Sequence, residues 1–312
     1  MISEPDSVAF TRSHLDDRQK RLAVIAAGLV LVALLVYAGI RAFGANTANL
    51  YPVQVNGKFG YIDRSGKMAI QPQFDDAQEY AGGFAAVSMG KRWGYVDTQG
   101  KLVIAPQFDL ADPFSDGYAM VGAGPRLGYI DKAGKYVINP QYEGAGAFGQ
   151  GFAPVVIASK WGYIDKGGKV VINPQFDEAG EFSENMALVR MGGQYGYIDR
   201  SGKFAINPQF AGAGNFQDGR APVRLGDKFG YIDKAGKVAI TPQFDIAGDF
   251  SDGLAMVAIG RRFGYIDKGG KFAINPQFDE ASHFEGGLAP VWIGKRQAYI
   301  DKEGKFVWQA SS

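Results

Sequence analysis

Two hydropathy patterns divide this chain. Residues 22–40, LAVIAAGLVLVALLVYAGI, carry no charge, whereas beyond residue 50 apolar residues come in short alternating runs broken by Gly, Pro and Asp. At 1.5 Å rise per residue, a helix over the first run spans roughly 28 Å, close to the hydrocarbon thickness of a bilayer. The run exceeds the roughly 7–15 apolar residues of a cleaved signal peptide, and Arg41 stands where a small neutral cleavage region would be needed. A signal anchor is therefore predicted. Arg18, Lys20 and Arg21 precede the run and Arg41 alone follows it. The positive-inside rule then puts residues 1–21 in the cytoplasm and the rest of the chain outside it.

The second pattern repeats. Gly60, Gly94, Gly128, Gly162, Gly196, Gly230 and Gly264 fall 34 residues apart, with Ala298 in the eighth slot. Pro72, Pro106, Pro140, Pro174, Pro208, Pro242 and Pro276 keep the same step, as does a Val series from Val53 to Val291. A fixed period of this size marks a repeat architecture. Helical repeats of the same length are excluded, because every unit carries Pro, at about 3 kcal/mol in a helix interior, and several Gly.

Strands suit the unit better. Residues 152–158 alternate, a tight connection at Ser159-Lys160 leads to a second strand over 161–165, and Lys166-Gly-Gly-Lys169 is a hairpin turn. Val170–Ile172 is a third strand, ended by Pro174, which has no N–H for a ladder. The linker 175–182 contains Ala179-x-x-Phe182, the spacing of a single helical turn. The third strand is apolar on both faces, which predicts cover on both sides. Gly inside the second strand predicts the close approach of another backbone or ring, here a neighbouring aromatic lying over it.

The fold expected is all-β: a tandem array of eight three-stranded antiparallel β-meander repeats of 34 residues, preceded by one transmembrane α-helix. Three strands per unit and irregular terminal units favour an open solenoid-like stack, with a closed β-propeller-like ring second. The organisation reads as 1–21 cytoplasmic tail, 22–40 transmembrane helix, 41–49 linker, 50–309 repeat array and 310–312 C-terminal tail.

Composition narrows the chemistry. With no Cys, disulfides, thiolate metal sites and cysteine nucleophiles are excluded. The net charge is +1, and beyond residue 50 basic and acidic residues are equal in number, so no field favours nucleic acid. Two His, His14 and His283, lie far apart, a poor supply for metal or acid–base chemistry. The eight Asp from Asp63 to Asp301 each begin a turn, where the carboxylate accepts a backbone N–H two residues on. Eight equivalent acids give no pair with separated pKa values, which acid–base catalysis needs. No cofactor, metal or catalytic residue is assigned.

The units resemble WG repeats, also called KWG repeats, found mostly in bacterial proteins. The resemblance rests on Lys160-Trp161-Gly162-Tyr163-Ile164-Asp165, Gly168-Lys169, Ile172, Pro174-Gln175-Phe176, Phe182 and Ala187-x-Val189. It covers roughly residues 50–309. It implies β-rich interaction modules with no catalytic activity attached to the repeat, and it transfers no functional residue. Trp fills its slot only at Trp93 and Trp161; Phe59, Leu127, Tyr195, Phe229, Phe263 and Gln297 fill it elsewhere.

The expectation is a single-pass protein of the plasma (inner) membrane, with a non-catalytic repeat scaffold outside the cytoplasm that binds protein or a cell-envelope component. Binding should use positions where the copies differ. Arg190, Arg224 and Trp292 are such positions, where other units have Ser88, Gly122, Val156 and Ala258; exposed Arg and Trp are the usual hot-spot types. The alternatives are a passive envelope spacer and a carboxylate-dependent enzyme acting on cell-wall glycans.

Overall fold

The structure, a computed structural model, describes residues 48–310. Among the described residues there is no helix long and apolar enough to cross a membrane; the expected anchor over 22–40 lies outside them. Eight small antiparallel sheets follow one another and close into a ring, an eight-bladed propeller. The open stack expected from the irregular ends is overturned: the ends fit each other instead of capping an array.

Each blade is a meander, and blade 5 shows the plan. Its strands Glu178–Ser183, Met186–Met191, Gln194–Asp199 and Phe204–Phe210 pair in chain order. The inner strand Glu178–Ser183 occupies the stretch read as a linker with a helical turn; Ala179 pairs with Val189 and Phe182 with Ala187. The unit boundary therefore shifts by one strand, and blades 2, 3, 5, 7 and 8 have four strands, not three. Blades 4 and 6 form three-stranded sheets whose inner segments join only by bridges such as Ala145↔Val155 and Ala213↔Val223. Those segments contain Gly144 and Gly146, and Gly212 and Gly214, and Gly weakens a strand. Blade 1 has three described strands, Leu50–Val55, Lys58–Asp63 and Met68–Phe74.

The outer strand corrects three further expectations. It runs through its Pro to the Phe beyond, as in Val170–Phe176, with a bulge between the pairs Trp161↔Phe176 and Tyr163↔Ile172. A Pro is tolerated there because this edge has no further ladder to supply, and it blunts pairing with another chain. The bulge also explains the repeated Gly. A Cβ on Gly162 would stand 2.6 Å from the Ile172 carbonyl oxygen and 2.8 Å from the Pro174 nitrogen, so the close neighbour is backbone, not a ring. In blade 8 the outer strand Phe306–Gln309 has no Pro, Ala298 pairs directly with Gln309, and the slot admits a Cβ. Finally, the strand is not covered on both faces. Ile172 is 5% exposed, but its neighbour Val171, which points to the opposite face, is 39%, and Val170 at the start of the strand is 38%.

Blades are joined by side chains repeated at 34-residue intervals. The Tyr of each Gly-Tyr is buried, and Tyr163 Oη donates to the Gly180 carbonyl of the next blade at 2.8 Å. Tyr163, Ile172 and Phe176 of blade 4 pack on Phe182, Ala187, Val189 and Ile198 of blade 5. Turn glycines finish the contact: Gly168 sits on Ile138 of the preceding blade. The same devices act between blade 8 and blade 1. Tyr51, Val53 and Ile62 pack on Leu288 and Tyr299, and Gly66 sits against Val307.

Candidate binding face

The turns joining second to third strands lie on one face of the ring, beside the crossovers between blades. At six of the seven described crossovers an acid stands at the start and ties this face together. Asp177 accepts from Lys160 Nζ at 2.6 Å and from Gly192 N of the next blade at 2.9 Å. Lys160 is the first cause of the low Asp177 pKa. Asp75, Asp109, Asp245 and Asp279 repeat the arrangement with Lys58, Arg92, Lys228 and Arg262. The girdle is interrupted once in kind: Ala211 replaces the acid, and Gln194 replaces the cation that would face it.

Arg190, Arg224 and Trp292 occupy one equivalent slot on the second strands of blades 5, 6 and 8. Closure into a ring thus brings them to a single face. Each slot is flanked by one residue of the inner strand and one of the third, and the three trade volume across a row. Gly144, Val156 and Trp161 form one such row; Ile246, Ala258 and Phe263 form another.

Arg190 is committed internally. Its Nη1 donates to Glu178 Oε1 at 2.6 Å, and the other Glu178 oxygen accepts from Tyr195 Oη at 2.6 Å. The guanidinium lies over the Tyr195 ring, 5.6 Å from its centroid. The bond to Glu178 raises the Arg190 pKa, while burial foremost, with Glu178 second, raises that of Tyr195. Arg224 differs. Its row holds Gly212 where blade 5 has Glu178, and the backbone N–H of Arg224 donates to the Gly212 carbonyl at 2.8 Å. Among the described residues no carboxylate pairs with its half-buried guanidinium. Trp292 is half-buried between Glu280 and Gln297.

The repeated Asp are structural on the geometry. Asp165 Oδ1 accepts the N–H of Gly167 and of Lys169, each at 2.9 Å. Sequence reasoning missed the residues around the axis. Glu79, Glu181, Asn215, Asp249 and His283 share one slot of the inner strands, hidden because that stretch reads as a linker. Ala147 N donates to Glu181 Oε1 at 3.1 Å, and Asn215 N to Asp249 Oδ1 at 2.9 Å, so these acids stitch neighbouring blades. Burial drives the Asp249 pKa well up, against the Asn215 hydrogen bonds.

The sequence model of the WG containing repeat matches residues 59–93, 93–122, 128–161, 161–195, 195–229, 229–261 and 263–295. No curated protein sequence matches the chain. Among solved structures, a dihydro-heme d1 dehydrogenase, NirN, in complex with DHE is similar at 14% identity and TM-score 0.56, covering 95% of this chain and 84% of its own. A eukaryotic initiation factor is similar at 11% identity and TM-score 0.53, covering 85% of each chain. Hsv2p of Kluyveromyces lactis is similar at 10% identity and TM-score 0.50, covering 75% of this chain and 96% of its own. At these identities the likeness is one of fold.

Proposed function

The chain belongs to the WG containing repeat family, and from that premise we propose that it is a non-catalytic binding scaffold, tethered to the plasma membrane through residues 22–40 and presenting its propeller outside the cytoplasm. The observation that carries the reading is Arg224. Elsewhere on its face the acids and cations of the girdle pair with one another. At blades 5 and 6 the girdle lapses at Ala211, and Arg224 stands over Gly212 with no carboxylate partner among the described residues. A half-buried guanidinium of this kind suits an acidic group of a protein or envelope partner, since Arg presents a fork that matches a carboxylate or phosphate. Trp292, in the same slot two blades on, supplies an apolar anchor of the type enriched in hot spots.

Crosslinking of the full chain in living cells, followed by partner identification, tests the reading. Arg224→Ala and Trp292→Ala should each deplete the same partners, with Ser88→Ala as a buried control in the equivalent slot. An unchanged partner set with both variants would overturn it in favour of a passive spacer. A reporter active only outside the cytoplasm, fused after Ser312, tests the orientation; silence would reverse it.

A further inference from the structure

Glu79 and His283 belong to blades 2 and 8, yet His283 Nε2 lies 3.9 Å from Glu79 Oε2. They meet where blade 1, among the described residues, places no inner strand between its neighbours. Glu285 Oε2 approaches the same nitrogen at 3.9 Å. One donor atom from each of the three lies within 4.8 Å of the others, and the side chains are only 23%, 24% and 18% exposed for His283, Glu79 and Glu285.

The repeat makes this cluster unusual. In the slot of Glu79, the carboxylates of Glu181 and Asp249 accept a backbone N–H from the preceding blade. Among the described residues Glu79 receives no such bond; its carboxylate faces the imidazole of His283 instead. Two residues beyond His283, blades 2, 3, 4, 5 and 7 carry Ala, Ser or Gly and blade 6 the neutral Gln217, and Ser115 and Ser251 donate there to the Phe148 and Phe284 carbonyls. At the seam that slot holds the acid Glu285. Both departures fall at one point of the ring, where two carboxylates face one imidazole nitrogen. The other nitrogen, Nδ1, lies 3.3 Å from Ser282 Oγ, which orients the ring with Nε2 toward the carboxylates.

We propose that Glu79, His283 and Glu285 form a site for one divalent transition ion of the zinc class, clamping blade 8 to blade 2 across the seam. One imidazole and two carboxylates are a mixed N,O donor set of the kind such ions take. Ligands about 2.0–2.2 Å from zinc stand roughly 3–4 Å apart across it, so the observed spacing needs only a small contraction. The oriented imidazole follows the pattern of metal-ligating His, whose second nitrogen is held by a neighbouring polar group. Because the ligands come from two blades more than 200 residues apart, the ion would bind the closed ring and not the unfolded chain, and so stabilise closure.

The test uses the full chain in detergent, stripped with a chelator and titrated with zinc chloride by calorimetry and thermal unfolding. One ion should bind per chain and raise the melting temperature by several degrees. Glu79→Gln, which keeps the side-chain shape, should weaken binding about 10-fold or more and remove the thermal shift; His283→Ala should do the same. Cobalt should give visible d–d absorption in the parent protein and lose it in Glu79→Gln, a readout independent of stability. Absence of stoichiometric binding would overturn the proposal. So would binding unchanged in both variants, which would put the ion elsewhere, for example on His14.

Discussion

Tyr299 Oη donates to the carbonyl of Pro52 at 2.9 Å, joining residues 247 apart. Seven equivalent Tyr make the same bond 17 residues ahead, as Tyr163 does to Gly180. The eighth has no successor and turns instead to the first described blade, where its ring also meets Tyr51 at 5.6 Å between centroids. A device that stacks units in a row therefore also fastens the ends.

Removing that hydroxyl is a test of closure. Tyr299→Phe leaves the part-buried Pro52 carbonyl without its partner, which costs about 0.5–1.5 kcal/mol. Tyr163→Phe should cost a similar amount within the ring. Urea unfolding of both variants checks this. A loss for Tyr163→Phe with none for Tyr299→Phe would mean that the seam is open in solution.

The glycines separate by cause. A Cβ at Gly162 meets backbone that cannot rotate away, so Gly162→Ala should destabilise by about 1–3 kcal/mol through overpacking at the bulge. Gly192 lies at φ +60° with nothing within 4 Å of its Cβ. Its replacement by Ala should cost roughly 1–2 kcal/mol, from the left-handed backbone alone. Gly192→Asn, a residue that tolerates that conformation, should recover most of the loss, whereas Gly162→Asn should recover none. Thermal unfolding distinguishes the two patterns.

Outer-strand positions two residues apart should respond differently. Val238 is 51% exposed and Ile240 is 5% exposed. Val238→Thr should change stability by no more than about 0.5 kcal/mol, while Ile240→Ala should lose about 2–5 kcal/mol through a cavity. If both were costly, the outer strand would be covered in solution by something beyond this chain's own blades.

Asp249 gives stability a pH dependence. Its Oδ2 is buried without a hydrogen-bond partner, and desolvation raises its pKa in the folded state. A folded-state pKa above the unfolded value, about 3.9, means that the folded protein binds the proton more tightly. The contribution is therefore fully favourable below about pH 4 and is lost as pH rises through the folded-state value. Asp249→Asn, which keeps an oxygen for the Asn215 N–H, should be more stable than the parent at neutral pH, with the advantage shrinking toward pH 4. Unfolding measured in both proteins across that range checks the sign; an advantage that grew on acidification would refute it.

Much of the blade was legible in the sequence because its causes are local. Asp165 and Gly168 shape a turn through contacts two to four residues away, and Tyr163 and Val189 are buried identically in each copy. The candidate site was legible in part. Arg190, Arg224 and Trp292 stand out by difference between copies, but only rows across the sheet separate paired Arg190 from Arg224. The inner strand was missed because its Gly, Pro and polar residues fit a linker as well as a strand lining an axis.

The sequence by itself determined the 34-residue unit, its turns, its buried face and the glycines its bulge requires, all set by interactions that recur at fixed short separations. Only the tertiary structure decided that eight units close, which strand is inner and which outer, and that Glu79 meets His283. Those outcomes depend on the rotation accumulated from blade to blade, a sum over the whole ring that no single repeat records.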